Sequence, residues 1–262
     1  MKNFEYAQPQ TEADVLELLS PLPGDTEILA GGTDLVGLMK KMVVNPERVI
    51  DVGRVESLQR IDTDGRGQLW IGSGVSLDDF LSSRLTDAYP AVKQAIQGIN
   101  SIQLQAQGTI GGELLRRPSC WYFRDGHGLL ADGGRKIVQG DNRFHAILGN
   151  RGAAKFVNAS RLAPALISLK AQVRVIGPTV DDEKFVPIES LYQTPRDESE
   201  RESSLLPSQL VTHIILPADD GHLSAAYEVR HGEGPDMPLA AAAATFAVSA
   251  GVVETARIVM GQ

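Results

Sequence analysis

The stretch that decides the fold is EILAGGTDLVGLMKK, residues 27–41. Its short apolar run is followed by two glycines and a threonine, and then by residues that favour a helix with a basic end. Glycine lets the backbone turn tightly and lets a ligand approach it closely, so that successive N–H groups can converge on an oxyanion. The pattern therefore predicts a strand, a tight turn and a helix, with an anion-binding turn between them.

A second stretch, QGTIGGELLRR at 107–117, repeats this pattern. Two such turns could hold the two phosphates of a dinucleotide cofactor, one from each side, because backbone amides donate without needing lysines. A single Gly-Gly-Thr turn is more often only the start of a helix. Neither turn has the spacing of a G-x-G-x-x-G or a P-loop motif, so spacing alone does not identify the ligand.

The flanking sequence predicts a mixture of strands and helices. The TEILA strand, the helix at 34–41 and the RVIDV strand form a strand–helix–strand unit. Further helices are predicted at 90–99 and 162–169, and the tail from 224 to 261 predicts three antiparallel strands. The run QTPRDESERESS at 193–204 is charged and lacks apolar periodicity, so it predicts an exposed loop.

The composition excludes several classes of protein. A net charge of −8 over 262 residues argues against nonspecific nucleic-acid binding, which requires a basic surface. The single cysteine, Cys120, excludes an intrachain disulfide and a thiolate cluster, and it favours a reducing, cytoplasmic compartment. The apolar run at 239–253 is too short and too interrupted for a membrane span, and the first residues do not form a signal peptide.

Several motifs in order resemble one known family. The first two motifs are LAGGTDL and TIGGELL. They are followed along the chain by CWYFRDGHGLL, GDNRFHAILGN, NASRLAPALISLKAQVRV, YEVRHGEGPDMPLAAAA and ARIVMG, and the resemblance covers essentially the whole chain. The chain resembles the FAD-binding (medium) subunit of the xanthine dehydrogenase, or molybdenum hydroxylase, family, of which the carbon monoxide dehydrogenase medium subunit is one member.

The resemblance implies an α+β fold in three parts. A small N-terminal α/β lobe, residues 1–55, and a larger α/β lobe, residues 56–218, would clasp FAD. Residues 219–262 would be an incomplete C-terminal antiparallel-sheet domain. Relatives continue past ARIVMG into a helical segment, so we expect an exposed apolar sheet face, left by a truncated chain or covered by a partner.

The resemblance also implies an activity. The chain would be the FAD-binding electron-transfer subunit of a heterotrimeric molybdenum hydroxylase complex. Electrons would come from a molybdenum cofactor-binding large subunit through the [2Fe–2S] clusters of a small subunit, and would leave to NAD⁺, a quinone or oxygen. No nucleic acid and no membrane are implied as partners, and no metal is expected in this chain. The substrate and the final acceptor stay open.

The cofactor-binding residues implied by the resemblance lie in two loops and one further position. No catalytic acid or base is predicted, because electron transfer through a bound flavin does not need one. The predicted FAD contacts are Leu29, Ala30, Gly31, Gly32, Thr33, Asp34 and Leu35 in the first loop, Gly108, Thr109, Ile110, Gly111, Gly112 and Glu113 in the second, and Ser160.

The chain departs from the family pattern at three places. Glu113 stands where the second loop usually ends in asparagine, and a carboxylate there would repel a diphosphate unless it turned away. Arg161 replaces the usual aspartate after Ser160, and its charge could offset that of Glu113. The segment after CWYFR, which holds an extra iron–sulfur cluster in some relatives, contains no cysteine here, so we expect no such cluster.

Two alternative functions stay open. The chain could be a free-standing flavin oxidoreductase, or a structural subunit that has lost FAD. Release of FAD on denaturation would exclude the structural subunit, and co-purification with large and small subunits would exclude the free-standing oxidoreductase.

Overall fold

The N-terminal part of the chain forms a small parallel sheet. The computed structural model describes residues 1–234 and 236–261. Strands β1 (Glu5–Ala7), β2 (Thr26–Leu29) and β3 (Arg48–Asp51) pair in the order β1-β3-β2, all parallel. Parallel strands need a crossover connection, which α1 (Glu12–Leu18) and α2 (Leu35–Lys40) provide. The predicted strand–helix–strand unit is therefore present.

The helix α1 begins where the sequence predicts a cap. The Thr11 hydroxyl accepts the Asp14 N–H at 3.1 Å, and the Asp14 carboxylate accepts the Thr11 N–H at 3.2 Å. This reciprocal arrangement is a capping box, which satisfies two backbone donors that a helix start leaves unpaired. Val15 and Leu16 then face the interior and are buried.

The middle of the chain forms a five-stranded antiparallel sheet with helices around it. Its strands follow the order β4-β5-β8-β6-β7, and the lobe also contains two 3₁₀ turns, 56–59 and 84–86. The strands are β4 (Ile61–Thr63), β5 (Leu69–Gly72), β6 (Gln172–Ile176), β7 (Glu183–Pro187) and β8 (Leu210–Leu216). The helices are α3 (Leu77–Ser82), α4 (Pro90–Gln97), α5 (Ile102–Gln107), α6 (Ile110–Leu114), α7 (Trp121–Arg124), α8 (Arg135–Gln139), α9 (Ala163–Ser168) and α10 (Ile188–Leu191).

The last described strands form a separate antiparallel sheet. Strands β9 (Leu223–Val229), β10 (Ala240–Ser249) and β11 (Val252–Gly261) pair in chain order, so the three predicted tail strands are confirmed. One face packs on α4 and α9, where the Ser168 and Thr245 hydroxyls lie 2.9 Å apart. The opposite face is exposed and apolar, and it carries Tyr227, Ile258 and Met260 around the alanines of β10.

Three apolar clusters hold these parts together. The largest fills the space between the five-stranded sheet and the helices α3, α4 and α9, with Phe80 fully buried in it. A second cluster joins Val15 and Ile50 of the first lobe to Ile176 and Leu210 of the second. A third cluster organises the 120–156 segment and reaches Leu38 of α2. The first two lobes therefore share a buried apolar seam.

The charged segment 193–204 is only partly the exposed loop that the sequence predicts. Its first half is largely exposed, but the Glu198 carboxylate accepts the N–H groups of Leu129 and Leu130 at 2.7 and 2.9 Å. Glu202 forms an ion pair with Arg117, and both side chains are 17% exposed. The segment is therefore held against the second lobe by these contacts. Charged residues without apolar periodicity can still be fixed in place by hydrogen bonds and ion pairs.

The structure predicts a pH dependence of stability at His213. This residue lies on β8 opposite Arg174, and burial lowers the pKa of its imidazole, with a smaller lowering from Arg174 and an opposing effect of Glu12. The unfolded chain, with a His pKa of about 6.5, then binds more protons than the folded chain below that pH. The free energy of unfolding should therefore fall as the pH drops below about 6.5.

Urea unfolding of the wild type and of His213→Gln at neutral and mildly acidic pH measures this effect. We expect the glutamine variant to lose a smaller part of its stability on acidification than the wild type. An equal loss in both proteins would show that His213 does not contribute to the pH dependence.

No helix in the described part of the chain combines the length and the hydropathy that crossing a lipid bilayer requires.

Candidate cofactor site

The first glycine turn presents a row of unpaired backbone donors. It connects β2 to α2, and Gly32 has a φ of 71°, a conformation that favours glycine. Within the described residues, the N–H groups of residues 31–34 donate to no backbone or side-chain acceptor. Unpaired N–H groups are costly unless water or a ligand accepts from them. This turn can therefore hold an anion.

Gly31 brings the two turns together. A Cβ built on Gly31 would lie 1.8 Å from the carbonyl oxygen of Gln107, just before the second turn. Real Cβ atoms never approach a backbone oxygen this closely, so only glycine permits the contact. The first lobe is therefore seated directly on the chain that leads into Gly108 and Thr109.

Most backbone N–H groups of the second glycine turn donate to acceptors within the protein. The Gly111 N–H donates to the Ser73 carbonyl at 2.8 Å, and the Gly112 N–H donates to the Thr109 hydroxyl at 3.1 Å, which caps α6. A Cβ on Gly111 would lie 2.6 Å from the Ser73 Cβ. These glycines therefore allow close packing, and of this turn only the Thr109 N–H has no acceptor among the described residues.

The helices after both turns are short, with six residues in α2 and five in α6. The sequence pattern would assign part of the anion binding to the dipoles of these helices. With so few aligned peptides, we assign it to the loop amides instead.

Asp34 fastens the first turn to the second lobe. Its carboxylate accepts the Arg117 N–H at 3.0 Å and a hydrogen bond from Arg124 Nη1 at 2.5 Å. The Asp34 and Arg124 side chains are only 15% and 21% exposed. The negative charge of Asp34 is thus already compensated at the edge of the cavity.

Both turns open onto one cavity of about 1720 Å³ between the first two lobes. Nine of the predicted residues line it: Ala30, Gly31, Gly32, Thr33, Asp34, Leu35, Thr109, Gly111 and Gly112. Five lie behind the wall and do not line it: Leu29, Gly108, Ile110, Glu113 and Ser160. The contact of these fourteen residues with FAD stays a prediction.

Glu113 turns away from the cavity. It is 8% exposed, its Oε1 accepts the Arg161 N–H at 3.3 Å, and its Oε2 lies 3.7 Å from Arg116 Nη1. Burial raises the pKa of the Glu113 carboxyl, while Arg116 and Arg161 act in the opposite direction. The repulsion of a diphosphate that the sequence suggests is therefore reduced, because the carboxylate lies behind the wall and faces two arginines.

Ser160 and Arg161 have structural contacts. The Ser160 hydroxyl accepts the Ala163 N–H at 3.1 Å, at the start of α9. Arg161 donates to the carbonyls of Gly98, at 3.1 Å, and of Asp236. Arg161 thereby ties the second lobe to the segment before β10, and residues 236–239 of that segment line the cavity together with Ala240 of the strand.

Sequence reasoning missed much of the cavity wall. The 143–149 and 156–159 stretches, the 192–195 and 199–207 stretches, and residues 236–240 all contribute to it. Only the stretches inside the quoted family motifs had a signal in the sequence. The charged segment had none, because its position depends on ion pairs with distant residues.

FAD fits the site that these residues form. The cavity exceeds the 300–1,000 Å³ that is typical of small-molecule sites. Its wall combines unpaired backbone donors for a diphosphate with apolar side chains for ring systems, such as Leu38, Val44 and Phe156. Within residues 1–234 and 236–261, no group of three or more His, Cys, Asp or Glu side chains is arranged to hold a metal ion.

Comparison with known proteins identifies the family. Residues 2–219 match the model of the FAD-binding domain in molybdopterin dehydrogenase. The aldehyde oxidoreductase FAD-binding subunit PaoB of Escherichia coli (strain K12) is 31% identical over 222 residues, which are 83% of this chain and 69% of that protein. The carbon monoxide dehydrogenase medium chain of Hydrogenophaga pseudoflava is 31% identical over 149 residues, 54% of this chain and 52% of that one.

Solved structures agree on the fold. The Hydrogenophaga pseudoflava carbon monoxide dehydrogenase that lacks the Mo-pyranopterin moiety superposes with a TM-score of 0.74 at 23% identity, covering 99% of this chain and 74% of that chain. The predicted α+β fold, the predicted family and the predicted cofactor are confirmed. The chain belongs to the family of FAD-binding domains of molybdopterin dehydrogenases, which are FAD-dependent oxidoreductases.

Proposed function

We propose that this chain is the electron-transfer subunit of a molybdenum hydroxylase complex. When bound, FAD supplies the chemistry that takes electrons from [2Fe–2S] clusters of a partner subunit and delivers them to NAD⁺ or another acceptor. The observation that carries this proposal is the row of unpaired N–H groups at residues 31–34, open to a cavity between two lobes. The chain's own contribution is to bind the cofactor, orient it and shield it from water.

The proposed placement of FAD follows from the donors. The diphosphate would lie against the first turn, with the Thr109 N–H of the second turn close by, because these amides have no acceptor in the described parts of the chain. The 1–55 and 56–218 lobes would clasp the cofactor, and the 219–262 part would complete the wall through residues 236–240. The fourteen predicted contacts divide accordingly into nine that line the cavity and five that support it.

The proposed partners are a molybdenum cofactor-binding large subunit and a [2Fe–2S] small subunit in a cytoplasmic heterotrimer. The relatives support this proposal, because they are described as medium chains and FAD-binding subunits, which implies further subunits in those proteins. NAD⁺ is the proposed acceptor among several. The lone cysteine is compatible with a reducing compartment.

A structural subunit without FAD is the alternative that the structure weakens most. Its main support was Glu113 beside a diphosphate, and this carboxylate lies behind the cavity wall. A free-standing flavin oxidoreductase remains the second candidate, because the exposed apolar face of the last sheet does not itself identify a partner.

We expect the purified full chain to be yellow and to release stoichiometric FAD on denaturation. Affinity purification from the native host should also retain a large and a small subunit, and anaerobic NADH should bleach the flavin absorbance if NAD⁺ is the acceptor. A colourless chain that binds no added FAD would contradict the proposal. A yellow chain that purifies alone would favour the free-standing oxidoreductase, and unbleached flavin would exclude only NAD⁺.

A further inference from the structure

The cavity wall contains an arginine with an unsatisfied donor. Arg116 follows α6, lines the cavity, and has a side chain that is 23% exposed. Its Nε, like that of Arg117, is buried and has no hydrogen-bond partner in the described residues. The Glu113 carboxylate, at 3.7 Å, lies beyond hydrogen-bond distance.

The other arginines of the wall differ from Arg116 because each has a close carboxylate partner. Arg117 is paired with Glu202, Arg143 with Asp141 at 2.7 Å, and Arg201 with Glu27 at 3.3 Å. These pairs fix the guanidinium groups to the protein. Among the described residues, Arg116 has no carboxylate oxygen closer than 3.7 Å, so its guanidinium is the one of these four that a close ion pair does not hold.

The position of Arg116 indicates which ligand. It comes four residues after Gly112, and both residues line the same cavity as the unpaired amides of the first turn. A guanidinium presents its donors in a planar fork that matches phosphate oxygens. Glu113, which lies 3.7 Å from Arg116 Nη1, does not line the cavity.

We infer that Arg116 is a diphosphate ligand of the cofactor, and that its guanidinium completes from the second lobe the anion site that the first-turn amides begin. The inference rests on the proposed placement of FAD in this cavity. The N–H groups of Gly111 and Gly112 cannot bind the diphosphate, because they donate to the Ser73 carbonyl and the Thr109 hydroxyl. The inference assigns the diphosphate contact of the second lobe to a side chain instead.

The test measures FAD affinity of the full chain after FAD removal, by quenching of flavin fluorescence. Arg116→Gln is expected to weaken FAD by about 10–100-fold, as the loss of charge-assisted hydrogen bonds predicts. ADP, which carries the diphosphate, should be weakened by a similar factor as a competitor, whereas adenosine should be unchanged. Arg116→Lys should fall between the two proteins, because it keeps the charge and loses the fork.

Arg84→Gln is the matched control, since Arg84 is exposed and lies outside the cavity wall. It should bind all three ligands as the wild type does, and circular dichroism should show that both glutamine variants are folded. Wild-type affinity in Arg116→Gln, or an equal loss for ADP and adenosine, would overturn the inference. If Gly31→Ala also left FAD affinity unchanged, the placement of the diphosphate itself would be wrong.

Discussion

Replacement of Gly31 by alanine is expected to produce the largest loss of FAD binding of any single methyl group added to this chain. The new Cβ would meet the Gln107 carbonyl at 1.8 Å, and a backbone oxygen cannot move aside as a flexible side chain can. The first turn must therefore shift, and its amides lose their alignment with the diphosphate. Charge-assisted hydrogen bonds of about 1.5–3 kcal/mol each are involved, so we expect FAD affinity to fall by about 10–100-fold.

Gly37→Ala provides the control for this substitution. Gly37 lies in α2 and is exposed, and a methyl group added there would meet no atom within 4 Å. Alanine at this position should raise the free energy of unfolding by about 0.5–1 kcal/mol and leave FAD affinity unchanged. Fluorescence titration and urea unfolding of the two variants measure both effects. Wild-type affinity in Gly31→Ala would show that the seating of the two turns on each other does not matter for the cofactor.

Replacement of Asp34 by alanine is expected to lower the free energy of unfolding of the chain. It would remove the carboxylate acceptor of Arg124 Nη1, whose guanidinium keeps only its two carbonyl acceptors, and the acceptor of the Arg117 N–H, in a partly buried environment. Removing one partner of a fully buried pair costs about 3–5 kcal/mol, and the residual exposure here reduces the expected loss to about 2–3 kcal/mol. Asp34→Asn, which keeps an acceptor and loses the charge, should be intermediate.

The matched control is Asp125→Ala. Asp125 also pairs with a cation, Lys41, but both side chains are 60% exposed. Its loss should leave urea unfolding close to that of the wild type, since exposed ion pairs contribute little. Equal midpoints for Asp34→Ala and Asp125→Ala would mean that the burial of the Asp34 pair confers no stability.

The local elements of the fold could be predicted because their signals are local. The capping box at Thr11 and Asp14, the first glycine turn and the alternation in the tail strands are each decided by neighbours within a few residues. The family motifs then placed these elements in order, and the fold and the cofactor followed.

The orientation of individual side chains could not be predicted in this way. Glu113 turns from the cavity and accepts the N–H of Arg161, 48 residues further along the chain. The sequence suggested that the two charges could offset each other, but it carries no local signal that brings the two residues together. The second turn looks like the first, but its N–H groups donate to Ser73 and Thr109. The charged segment is fixed by Glu198 and Glu202, whose partners lie 68 or more residues earlier.

The apolar seam between the lobes has a consequence for cofactor exchange. Val15 and Ile50 on one side and Ile176 and Leu210 on the other are at most 3% exposed, so the lobes cannot hinge apart without wetting this seam. Entry and departure of a molecule clasped between them must then proceed through loop fluctuations or partial unfolding rather than through rigid-body opening. Once loaded, such a protein would therefore release its prosthetic group slowly.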